Sequence, residues 1–135
     1  MQHSYESTSG DAPSANVLSI RKAIGSAIAR ARQDAGLTQE GVAERLGIGP
    51  EAVSRLERGI GSITAERLVV LAEMFGCRSD QLLLSASSRP DDQAAAVSQL
   101  LHGLKPTDRA FVIESVERLV DFLRSKTAEN TRGNR

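Results

Sequence analysis

Aromatic residues are scarce in this chain of 135 residues: Tyr5, Phe75, Phe111 and Phe122, with no tryptophan. A surface that stacks unpaired bases needs several rings, so RNA and single-stranded DNA are disfavoured as ligands. Cysteine occurs once, at Cys77, so no internal disulfide can form, which fits a reducing compartment. Net charge is absent as well, 17 Lys+Arg against 17 Asp+Glu. That excludes a simple polybasic nucleic-acid binder but not a reader with one positive face. Residues 19–83 hold 9 basic and 8 acidic residues, a net of +1, so non-specific attraction to phosphate is modest. No apolar run approaches membrane-spanning length, and the first residues lack the apolar core of a secretion signal; the expectation is a cytoplasmic protein with no membrane contact. Catalytic patterns are missing too. Gly59 and Gly61 form a G-x-G with no strand before it and no third glycine, His102 has no cysteine or second histidine nearby, and no Ser/His or Cys/His pair has a supporting residue. No enzyme, metal site or cofactor is expected.

What is present is helical pattern. Residues 1–18 are polar and serine-rich, without Arg or Lys, and read as a disordered tail with no DNA-contacting arm. Residues 19–35 read as a first helix, with Ile20, Ile24, Ile28 and Ala31 inward, Ala23 and Ala27 suggesting a close helix approach, and Gly36 ending it. The centre of the chain is residues 37–59. Thr38 is a good N-cap, Val42, Ala43 and Leu46 face inward, and Gly47 stands where a left-handed residue is wanted. Gly49 and Pro50 open the next helix, whose inward pair is Val53 and Leu56. Two short helices joined by such a turn form a helix-turn-helix at residues 38–58. Thr64 caps a helix over residues 65–75 with Leu68, Leu71, Ala72 and Phe75 as its core stripe, and Ser79 or Asp80 caps a last short helix over residues 80–84. Cys77 reads as a buried small thiol, with a redox sensor as the alternative.

The stretch from about residue 20 to residue 83 resembles the phage repressor/Cro-type (Xre) helix-turn-helix family. The matching residues are Leu37-Thr38-Gln39, Ala43, Leu46-Gly47, Ser54-Arg55-Leu56-Glu57-Arg58-Gly59, Leu68, Leu71-Ala72 and Gly76. The resemblance implies a five-helix DNA-binding domain over residues 19–84 whose third helix enters the major groove of double-stranded DNA; phage repressors and Cro are the general examples of that docking. It places Pro50, Glu51, Ala52 and Arg55 at base edges. Arg55 can bond O6 and N7 of guanine, Glu51 can accept from cytosine N4, and Ala52 can touch a thymine methyl. Thr38, Gly49, Ser54 and Ser62 join the DNA-facing set, and Gln39 and Arg58 match phosphate-clamping positions. The bland reading of Arg55 is a solvated guanidinium or an i,i+4 partner of Glu51. The resemblance also implies a structural ion pair between Arg32 and Glu57.

Three departures from the family stand out. Pro50 replaces an amide that reads a base. Gly41 replaces the usual Glu, losing a capping box; it either permits a close contact or is neutral. The loop at residues 60–63 lacks the usual Lys or Arg, leaving backbone N–H groups and Ser62.

Beyond a polar linker at residues 85–92, residues 93–126 read as two further helices, followed by a disordered tail at 127–135. In the second of these, Val112, Ile113, Val116, Leu119, Val120 and Leu123 cover a broad face with Phe111 and Phe122 at its edge. A two-helix hairpin cannot bury that arc. It folds back on the first domain or pairs with the same helix of a second chain; the symmetry of two-half-site readers favours the pair, with Phe111, Val112, Val116, Leu119, Val120, Phe122 and Leu123 at the dimer interface. The fold expected is therefore all-α, a five-helix domain followed by a two-helix dimerisation region. The function expected is a sequence-specific DNA-binding regulator, a homodimeric repressor on a two-fold operator. The alternative is a helical protein-interaction module of antitoxin or anti-repressor type, acting through the C-terminal apolar face. No small-molecule effector is legible.

Overall fold

The structure is a computed structural model and describes residues 12–133. All its regular secondary structure is helical: α1 (Ala15–Asp34), α2 (Gln39–Leu46), α3 (Pro50–Glu57), α4 (Ala65–Phe75), α5 (Gln81–Leu84), α6 (Pro90–Leu101) and α7 (Pro106–Arg132). The chain divides into two compact units, Met1–Ala96 and Val97–Arg135, with α6 running across the division.

In the first unit, local signals set the helix ends. Thr38 Oγ1 accepts from the Gly41 N–H at 3.0 Å, and Thr64 Oγ1 accepts from the Arg67 N–H at 3.2 Å. The turn between α2 and α3 depends on Gly47, whose φ of 67° is left-handed and reverses the chain without a Cβ penalty. Pro50 opens α3, where the N–H it lacks has no helical partner in any case.

The core joins α1 to α5. It comprises Ile28, Val42, Ala43, Val53, Leu68, Leu71, Ala72, Phe75 and Leu82, with Ile24, Ala31, Leu37, Leu46, Ile48, Ile63, Met74 and Cys77 packed around it. Each fully buried aliphatic contributes about 1.5–3 kcal/mol. α2 and α3 pack on one another, and α1 packs on α3, α4 and α5, so α3 is braced from two sides.

Four boundaries differ from the sequence expectation. α1 begins at Ala15, not residue 19, with Ser14 Oγ accepting from the Val17 N–H at 3.3 Å. Its first turn adds Val17 and Leu18, both exposed, so no buried stripe announces it. α5 begins at Gln81, and its Asp80 makes no capping bond. Instead the Asp80 carboxylate pairs with Arg78 at 2.8 Å, while Gln81 Oε1 accepts from the Arg78 N–H. α6 starts inside the expected linker, because Pro90 is a favourable opening residue rather than a break. α7 continues through residues 127–132, against the sequence expectation of a disordered tail. Nothing there breaks a helix before Gly133, and Thr127 and Thr131 donate their hydroxyls back to Leu123 O and Thr127 O. The remaining tail positions, 1–11 and 134–135, lie outside the described residues.

The second unit contains no fully buried residue among those described. Phe111 is 71% exposed, Phe122 60% and Leu119 56%, while Val112 and Val120 are half-buried. Among the described residues no helix is long and apolar enough to cross a membrane.

Candidate nucleic-acid interface

α3 is seated by glycine at two points. A Cβ at Gly25, in the middle of α1, would lie 2.5 Å from Leu56 O, 2.6 Å from Glu57 O and 2.9 Å from the Glu57 carbonyl carbon. All three are backbone atoms of the last turn of α3, so α1 crosses that turn at a distance only glycine permits. At Gly59, just past α3, a Cβ would lie 2.6 Å from Lys22 Cα, and φ there is 74°. The close approach expected at Ala23 and Ala27 is thus centred on Gly25. A glycine in a helix interior, costing ~1 kcal/mol against alanine, was the signal available for it.

The side chains add an electrostatic lock. Arg32 Nε donates to Glu57 Oε1 at 2.5 Å and Arg32 Nη2 to Oε2 at 3.2 Å, a two-pronged pair whose side chains are 12% and 7% exposed. Arg32 Nη1 donates to the Leu37 carbonyl at 2.9 Å, which ties in the segment before α2. Gln39 Nε2 donates to Glu57 Oε2 at 2.8 Å. The amide of Gln39 therefore serves the interior lock, although its position suggested a phosphate clamp. Its role was missed because sequence spacing does not reveal a partner eighteen residues away.

What the lock leaves outward is one face of α3. Glu51, Arg55 and Arg58, at i, i+4 and i+7, are all exposed, with Pro50 exposed beside them and Ala52 and Ser54 half-buried at the edges. Among the described residues Arg55 makes no ion pair, so the i,i+4 bond to Glu51 is not formed. Arg58 Nε donates to Ser54 O at 3.3 Å, which keeps that guanidinium along the helix end. Thr38, Gly49 and Ser62 are exposed around this face. An exposed helix carrying two guanidiniums and a carboxylate, on a scaffold locked from behind, has the shape and chemistry for base edges and phosphate.

A helix-turn-helix family model matches residues 28–82. An uncharacterised HTH-type transcriptional regulator, y4dJ, from Sinorhizobium fredii (strain NBRC 101917 / NGR234) is 37% identical over 73 residues, which is 54% of this chain and 95% of that protein. The chain belongs to the Xre-type helix-turn-helix family of transcriptional regulators. Two crystal structures of the clp gene regulator ClgR from Corynebacterium glutamicum are also similar to it. One has TM-score 0.47 and 28% identity over 58% of this chain and 94% of that one; the other has TM-score 0.48 and 30% identity over 61% and 89%. Within this family member, burial raises the Cys77 thiol pKa above its ordinary value, partly offset by a backbone hydrogen bond. The half-buried thiol packs against the core, and its raised pKa favours the neutral form.

Proposed function

We propose that this chain is a sequence-specific repressor that binds double-stranded DNA as a homodimer, with α3 in the major groove of each half-site. The observation that carries the reading is the outward Glu51–Arg55–Arg58 face on a helix held by the Arg32–Glu57–Gln39 lock. Arg55 takes a guanine edge, Glu51 and Ala52 select at neighbouring pairs, and Arg58, Ser62 and the N-terminal amides of α2 and α3 face phosphates. Pro50 gives α3 a rigid start but no base hydrogen bond. The dimer reading draws support from the second unit, whose described residues bury no side chain fully. A helix pair without a core needs a covering surface, and a second copy of α7 offers a self-complementary one. Such a protein works on the chromosome in the cytoplasm, with no cofactor and no catalytic step.

The exposed apolar face of α7 also favours a second reading, in which that face docks a different protein and the first unit acts as scaffold. Footprinting on the DNA upstream of the protein's own gene separates the two. Protection of a two-fold site, lost in Arg55→Ala with folding intact, supports the repressor. No sequence preference at moderate salt ends it, and loss of activity only on deletion of residues 91–135 supports the docking role.

A further inference from the structure

We infer that Lys22, with Arg21 beside it, is a phosphodiester-binding position for double-stranded DNA at the C-terminal end of α3. This rests on the DNA-reading role proposed above and extends it to a helix outside the helix-turn-helix.

The loop that follows α3, residues 60–63, carries no cation. A phosphate strand passing there meets the carbonyl end of α3, where the helix dipole is negative and repels it. α3 itself places Arg58, its C-cap residue, at this end, so further positive charge has to come from another element. The element lying against this point is α1. A Cβ at Gly59 would be 2.6 Å from Lys22 Cα, 2.7 Å from Lys22 N and 2.9 Å from the Arg21 carbonyl carbon. Glycine therefore seats the reversal after α3 directly on the backbone of these two basic residues. Lys22 lies three residues before Gly25 and ten before Arg32, on the stripe of α1 that faces α3. Its side chain is exposed, that of Arg21 is half-buried, and neither forms an ion pair among the described residues.

Charge distribution points the same way. α1 carries Arg21, Lys22, Arg30 and Arg32 against a single acid, Asp34. Arg32 is compensated by Glu57, so the uncompensated cations include the two beside Gly59. With Arg58 at the end of α3 they form a basic margin around the cation-free loop, in a domain whose overall charge is nearly neutral. A margin of this kind contacts phosphate and carries no sequence information.

The test uses the full chain and a duplex of mixed sequence about three helical turns long. Binding is measured across a salt series for the parent, Lys22→Ala, Lys22→Arg and, as a control distant in sequence, Arg78→Ala. One lost phosphate contact lowers the slope of log K against log salt by about 0.9, equivalent to about fivefold weaker binding at ~0.15 M salt. Lys22→Ala is expected to show that change, Lys22→Arg to restore the parent slope, and Arg78→Ala to leave it unaltered. Alanine at an exposed helix position does not threaten folding, and circular dichroism checks it. A parent slope retained in Lys22→Ala overturns the inference while leaving the DNA-reading role standing. A parent protein that shows no salt-dependent duplex binding overturns both.

Discussion

Two glycines inside helices should answer the same substitution with opposite signs. At Gly25 an added Cβ sits 2.5 Å from Leu56 O, about 0.9 Å short of ordinary 3.4 Å contact, and two more backbone atoms lie under 3.0 Å. None of these can rotate away, so α1 and the end of α3 must separate. Overpacking of this kind costs 1–3 kcal/mol, and the upper end applies where backbone meets backbone. Alanine recovers ~1 kcal/mol of helix propensity, leaving Gly25→Ala about 2 kcal/mol less stable than the parent. At Gly41 the added Cβ meets only Thr38 Oγ1, at 3.2 Å. A few tenths of an ångström of side-chain movement relieves that, so Gly41→Ala is expected to gain about 0.5 kcal/mol. Urea unfolding followed by circular dichroism reads both. With an m-value of ~1–2 kcal/mol/M, Gly25→Ala should lower the midpoint by about 1–2 M, and Gly41→Ala should raise it slightly. A Gly25→Ala protein as stable as the parent would refute the close approach and the placement of α3 that depends on it.

Arg32→Ala or Glu57→Ala alone should cost about 3 kcal/mol, because each strands a mostly buried charge; the double variant Arg32→Met/Glu57→Leu should cost less than either, as read by thermal unfolding. Leu119→Glu should convert a species of twice 14.4 kDa into one of 14.4 kDa in light scattering, and a parent already monomeric at micromolar concentration would remove the α7 dimer. Cys77 should alkylate more slowly than an unhindered thiol near neutral pH, since burial holds the thiol form. The sign is that of an acid with a raised folded-state pKa: its contribution to stability is intact below the ordinary thiol pKa and fades as pH rises through the folded value.

The first unit was legible because its signals are local. Thr38 and Thr64 as caps, Gly47 and Gly76 as stops, and the stripes through Val42 and Leu68 each act within a turn or two of their own position. The first turn of α1 and the last turns of α7 were not legible, because residues such as Val17, Leu18 and Thr127 are exposed and leave no buried period. Pro90 illustrates a different ambiguity, since a proline can break a helix or open one, and here it opens α6. At the site, the outward positions of α3 follow from spacing alone. The bond from Gln39 to Glu57 and the seat at Gly25 do not, since both depend on which segments meet across the core.

Glu57 gathers the end of α3, the last part of α1 and the first residue of α2 at one carboxylate. α3 consequently has no hinge of its own. A changed target cannot be met by tilting it, only by exchanging what it displays. Swapping Glu51, Ala52 or Arg55 between related proteins should therefore transfer preference while the frame beneath stays as it is.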